Sequence, residues 1–231
     1  FETQMKNLLI YIGPTKEFSP EHEVLTKIQI DNSLELGWKI EDILLVTDFV
    51  WEYRKVKSHV LGGDYTALDG NRSSKILVIN QLFKDGMIKD VELYWFHDHD
   101  AFELEPLRDP ELGDDVAGFT DHGWSKTWNA GSFFFTSKAD GLFRLIYKAM
   151  IDRKTNEQDA LTYLWEIGLS GCKMLNITYN IGMYHISFNL QKANKPLLVA
   201  HFHPHKPKHM KLFKDLIPNR LKDIFNKYEL R

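Results

Sequence analysis

Cysteine is almost absent from this 231-residue chain. Cys172 stands alone, so no intramolecular disulfide framework can form, and a reducing, cytoplasmic setting is expected. A single thiol without an activating neighbour reads as a small buried hydrophobe rather than a nucleophile. Long apolar runs are missing as well. None approaches the roughly 20 residues of a membrane span, so no transmembrane segment is expected. No repeat, low-complexity run or proline-rich linker divides the sequence, which predicts one domain over residues 5–231. Met5-Lys6 ahead of the first apolar run reads as the native start. On that reading residues 1–4 are a non-native remnant and no signal peptide precedes the fold. Charge is nearly balanced at −3 but unevenly spread. Lys206, Lys208, Lys211, Lys214, Arg220, Lys222, Lys227 and Arg231 outnumber the acids near the C-terminus, which leaves the body distinctly acidic.

What is present is an alternation of strand and helix signals. Residues 7–12 form a short apolar run ending at Gly13-Pro14. Ser19-Pro20 offers a helix N-cap with proline in the first turn, and Gly37 closes that helix. Strands are predicted at 43–47 and 57–61, a helix at 73–84, and an aromatic-rich strand that ends at His97. Two more strands, 116–120 and 132–136, bracket a polar loop at 121–129. Helices follow at 139–153 and from Asn156 to Gly168, then a last strand at 197–202 and a basic C-terminal helix. The order predicts an α/β fold, a mixed and mostly parallel sheet flanked by helices.

The stretch Leu93-Tyr94-Trp95-Phe96-His97-Asp98-His99-Asp100 carries the chemistry. A buried strand of an open α/β sheet presents its ligands at its carboxyl end, where Asp98 and Asp100 stand one residue apart. Paired carboxylates suit Mg²⁺ or Mn²⁺, ions that keep positions open for substrate phosphates. A polar strand exit into a turn is the plainer alternative.

Further landmarks give this pair a context. They are Trp128-Asn129-Ala130-Gly131 before an apolar run, Glu157-Gln158-Asp159-Ala160-Leu161 at a helix start, Tyr179-Asn180, and His201-Phe202 followed by Lys206-Pro207. In this order the set resembles the metal-dependent GT-A glycosyltransferases, most closely those similar to glycogenin and the bacterial lipooligosaccharide galactosyltransferases. The resemblance covers residues 75–207, with a closing spacer one residue shorter than the family's and Glu157 where the family has Asp. It implies a GT-A, Rossmann-like fold and transfer of a sugar, with retention, from a nucleotide sugar such as a UDP-sugar. It further implies Mn²⁺ or Mg²⁺ held by Asp98, Asp100 and His201, since a cation can offset the charge that grows on a departing diphosphate.

The same resemblance implies that Lys206 contacts a phosphate, that Arg72 and Lys75 lie near the donor, and that Asn129 and Gly131 face the sugars. Gln158 and Asp159 become the catalytic, sugar-facing positions. Asp121, His122 and Trp124 would border the acceptor, with Trp124 and Trp128 able to stack on a sugar. Thr15 and Asp48 are the strand-end candidates for the nucleotide base. An all-histidine zinc site from His203, His205 and His209 is disfavoured by Pro204, and His203 is expected to face away from His201. A saccharide or another small hydroxyl is the expected acceptor. Hydroxymethylated pyrimidines in DNA, approached by the basic tail, and a catalytically silent binding domain remain as alternatives.

Overall fold

The computed structural model describes residues 4–65, 74–90, 92–123, 125, 127–203 and 215–229. An eight-stranded sheet forms its centre. Its first half comprises β1 (Gln4–Tyr11), β2 (Ile43–Thr47), β3 (Glu52–Tyr53), β4 (Val56–Val60) and β5 (Glu92–His97). Its second half adds β7 (Ala117–Asp121), β8 (Trp128–Thr136) and β9 (Cys172–Met174). The spatial order is β3-β4-β2-β1-β5-β8-β7-β9, with β4, β2, β1 and β5 parallel and β8 antiparallel to both β5 and β7. The predicted mixed, mostly parallel sheet is therefore present. A second sheet pairs β10 (Ile181–Gly182) with β11 (Val199–His201), and β11 with β6 (Ala101–Glu103).

Six helices surround these sheets among the described residues: α1 (Pro20–Glu35), α2 (Ser74–Lys84), α3 (Asp140–Arg153), α4 (Glu157–Glu166), α5 (Ile186–Lys192) and α6 (Asn219–Lys227). Ser19 caps α1 as its sequence indicates, accepting from the His22 amide, and Asn156 caps α4 by accepting from the Asp159 amide. Helices α2, α3 and α4 lay apolar faces on one side of the sheet, where Ile79, Leu82, Phe143, Ile146 and Leu161 meet Tyr94, Phe133 and Phe135.

Helix α1 behaves differently. It is buried nearly all round, and Thr26, Gln29, Asn32 and Ser33 are as inaccessible as Leu25, Ile28 and Ile30. The basic tail helix α6 packs on it: Leu221, Ile224 and Phe225 are buried, Arg220 donates to the Asn32 side chain and the Leu104 carbonyl, and Lys227 reaches Asp31 at 2.7 Å.

Strand β1 lies between β2 and β5, so the chain leaves it first to one side and later to the other. The carboxyl ends of β1 and β5 thus flank the switch point of the sheet, where a crevice opens in folds of this kind.

Candidate metal and donor site

Aromatic packing delivers β5 rigidly to this crevice. Trp95 and Phe96 are buried, and His97 stacks on Trp95 with ring centroids 3.9 Å apart. His97 Nδ1 lies 3.0 Å from the Ala101 carbonyl and Nε2 2.9 Å from the Asn7 side chain. Burial pushes its pKa down to about 3, so the ring is neutral and serves as a brace for the turn that follows. Asn7 is fixed in turn by its amide nitrogen, which donates to the Ser33 hydroxyl at 2.9 Å.

Beyond His97 the chain turns sharply, with the Ala101 amide donating to the Asp98 carbonyl at 2.9 Å. Gln29 of α1 holds the turn from below, its Nε2 donating to the carbonyls of His99 and Ala101 at 2.9 Å each. The turn projects both carboxylates into the crevice.

The pairing of β11 with β6 brings His201 opposite Ala101, and the Phe202 amide donates to the Asp100 carbonyl at 2.9 Å. Asp98, Asp100 and His201 each offer one ligand atom, all within 4.8 Å of one another. His201 Nδ1 donates to Asn180 Oδ1 at 3.1 Å, which turns Nε2 toward the carboxylates. Nε2 lies 3.3 Å from Asp100 and 3.9 Å from Asp98, yet it is buried without an aligned hydrogen bond. Burial works against a proton on this ring, but the Asp100 and Asp98 charges outweigh it and raise the pKa. Those charges equally favour a divalent cation. A divalent cation would take the place of that proton, and the imidazole nitrogen so freed, beside two carboxylates, fits such an ion.

Gly131 makes this arrangement possible. Its carbonyl accepts from the Asp98 amide at 2.8 Å, and a Cβ on it would lie 2.1 Å from His201 Cε1. The glycine at this position is thus the space into which the imidazole fits.

Lys75 supplies the local positive charge. Its buried ammonium lies 2.8 Å from Asp98, 3.5 Å from Glu157 and 3.0 Å from the Ala130 carbonyl. Burial alone would lower its pKa, but the Asp98 and Glu157 charges prevail and raise it, so Lys75 stays charged. Gln158 lines the same wall, its Oε1 accepting from the Ala130 amide at 3.1 Å. Asn129 also lines it, with Oδ1 accepting from the Gly131 amide.

These residues border a cleft of about 850 Å³, within the size range of small-molecule sites. Its far wall runs from the end of β1 to the start of α1, with Tyr11, Pro14, Thr15, Phe18 and His22. Tyr11 packs against Phe18 and His22 at 4.7 and 4.8 Å between centroids. Tyr184, half exposed, and His122 stand at the opposite rim.

Several expected residues sit elsewhere. Asp159 is outside the cleft, and its carboxylate accepts from Thr155 and Asn156 at the start of α4. Trp128 is fully buried against Phe119 and Trp165, so it cannot stack on a sugar. Asp48 holds the segment after β1, accepting from the Gly13 amide and from Lys16, and does not line the cleft. Asp121 caps its own turn by accepting from the Gly123 amide. His203, expected to face away, lies on the His201 side, because alternate residues of an extended segment share a face. Arg72, Trp124, His205, Lys206, His209, Lys208, Lys211 and Lys214 lie outside the described residues.

Sequence reasoning missed Gln29, His97, Tyr11 and the Lys75–Glu157 pair. Only Gln29 left a signal, as one of several polar residues spread around a helix with no clean apolar stripe.

No protein-family model matches the sequence, and no curated protein matches it. Solved structures do resemble it in fold. A glycosyltransferase involved in glycosylation of the major capsid of PBCV-1 matches with a TM-score of 0.61 and 11% identity, over 92% of this chain and 99% of that one. The galactosyltransferase LgtC, solved with donor and acceptor sugar analogs, matches at 0.60 with 14% identity, over 95% and 100%. GlyE of Streptococcus pneumoniae TIGR4 matches at 0.60 with 12% identity, over 97% of this chain and 64% of that one. With its mostly parallel sheet and its acidic turn at the switch point, the chain has the fold of the GT-A glycosyltransferases.

Proposed function

We propose that this protein transfers a sugar from a nucleoside-diphosphate sugar, a UDP-sugar first among candidates, to a hydroxyl acceptor, using a divalent metal ion. The observation that carries the reading is the convergence of Asp98, Asp100 and the orphaned His201 Nε2 at the switch point of a glycosyltransferase fold. When bound, Mn²⁺ or Mg²⁺ would neutralise the charge growing on the departing diphosphate.

The chain's own residues supply the rest. The acids that line the cleft among the described residues are Glu17, Asp98, Asp100 and Glu157, against Lys75 as the cation, so a bare diphosphate would be repelled. Lys75 orients Asp98 and Glu157 together, and its fixed charge offsets part of the developing negative charge. Gln158, held through Ala130, turns its amide toward the donor sugar. Retention is supported by the engagement of three of the four described cleft acids: Asp98 and Asp100 belong to the proposed metal set, and Glu157 pairs with Lys75. An inverting transfer needs a base placed to take the acceptor proton on the far face of the sugar.

A saccharide or other small hydroxyl is the proposed acceptor. Arg220 and Lys227, cations that could have formed a nucleic-acid face on the tail, are instead spent in docking α6 onto α1. We further propose that the protein works as one domain in the cytoplasm.

Calorimetry with UDP, in Mn²⁺ and in EDTA, tests the metal; equal affinities would remove it from the mechanism. A panel of nucleotide sugars assayed for hydrolysis tests the donor, and inertness toward all of them would favour a silent binding domain. Salt-sensitive binding of duplex DNA would favour hydroxymethylpyrimidine DNA as the acceptor.

A further inference from the structure

The proposed metal site has a second imidazole beside it. Strand β11 ends at His201, Phe202 turns into the core against Phe102, and His203 returns to the cleft side. Asp100 lies between the two rings, with Oδ1 3.3 Å from His201 Nε2 and Oδ2 3.8 Å from His203 Nδ1. The backbone on which both histidines stand is fixed to Asp100 through the Phe202 amide. Ligand atoms that share one small cation at about 2.1 Å lie roughly 3 Å from one another. His201 comes near that spacing with Asp100, at 3.3 Å, and stands 3.9 Å from Asp98. His203, with its side chain 53% exposed and its ring centroid 6.0 Å from that of His201, would have to move inward to join them.

Resting on the metal reading above, we propose that His203 is a fourth protein ligand. The site is then a cage of two imidazoles and two carboxylates that takes a borderline transition-metal ion such as Co²⁺ or Zn²⁺, and after these Mn²⁺, in preference to Mg²⁺. The chemistry follows from donor type. Mg²⁺ favours oxygen donors and keeps its waters, so a second nitrogen gains it little, whereas the later ions bind imidazole well. The ligand count also means that the metal is retained before any donor arrives.

The test uses metal alone, without nucleotide. Mn²⁺ and Mg²⁺ affinities are measured by calorimetry, and Co²⁺ by its visible absorption, on the unaltered protein, His203→Ala and His201→Ala. The expected result is that His203→Ala weakens Mn²⁺ and Co²⁺ binding roughly tenfold or more, alters the Co²⁺ spectrum, and leaves Mg²⁺ affinity unchanged. Unchanged Mn²⁺ affinity and Co²⁺ spectrum in His203→Ala overturn the proposal, also if UDP binding falls, since His203 would then be a phosphate contact. If His201→Ala weakens metal binding while His203→Ala leaves it unchanged, the three-ligand site stands and only the fourth ligand fails. Absence of metal binding by the unaltered protein overturns both.

Discussion

A methyl group at Gly131 would sit 2.1 Å from a ring carbon of His201, with no way to avoid it except by moving the imidazole. Gly131→Ala is therefore expected to cost about 1–3 kcal/mol from overpacking and to remove metal-dependent UDP binding. Calorimetry alongside urea unfolding separates the two effects, and retained Mn²⁺-dependent binding would contradict the geometry. Glu103 acts through charge instead. Burial pushes its carboxyl up to about 7, while the Trp38 indole, the Leu107 amide and Arg220 pull it back in part. The folded chain holds this proton more tightly than the unfolded one, whose ordinary value is 4.5. The resulting stabilisation is complete below that value and is lost as pH rises through about 7. Glu103→Gln should flatten the dependence of stability on pH across that window; an unchanged slope would assign it to other groups.

Among the elements, α1 gives up amphipathic regularity to hold the acidic turn. Gln29→Leu removes the donor shared by the His99 and Ala101 carbonyls, and it is expected to cost about 1–3 kcal/mol and to weaken Mn²⁺ binding as the turn loosens. Stability loss with unaltered metal affinity would show that the turn holds its shape alone. Helix α3 was legible from its apolar periodicity and β5 from its unbroken apolar run, and the cap at Ser19 and the start at Asn156 placed α1 and α4 correctly. Strands β6, β9 and β10 were not, because two or three residues carry no period and form only where a partner strand waits. The carboxylates and His201 could be named from motif order. Their assembly could not, since it depends on β11 meeting β6 and on the empty space at Gly131. The error over His203 came from treating alternate residues as opposed, when the pleat puts them together.

For the molecule as a whole, ligand binding should register as stability. Mn²⁺ with UDP at a hundredfold over its Kd adds about 2.7 kcal/mol. At about 2–4 °C per kcal/mol for a chain of this size, that raises the Tm by roughly 5–10 °C. Asp98→Asn should abolish the shift while leaving the Tm without ligand nearly unchanged, because Asp98 is partly exposed and Lys75 keeps Glu157 as a partner. An equal shift in the variant would mean that the ligand binds elsewhere.

The β6–β11 pairing joins Asp100 to His201 across about a hundred residues of chain. During synthesis the acidic turn leaves the ribosome long before its imidazole, and the nascent chain carries two carboxylates with no nitrogen to complete them. Contacts so distant in sequence form late in folding, after local pairings such as β7 with β8. A protease cut anywhere between the two would uncouple them in the same way. On the proposed function, metal capture would be a property that the protein gains last and loses first, a mark of the finished chain.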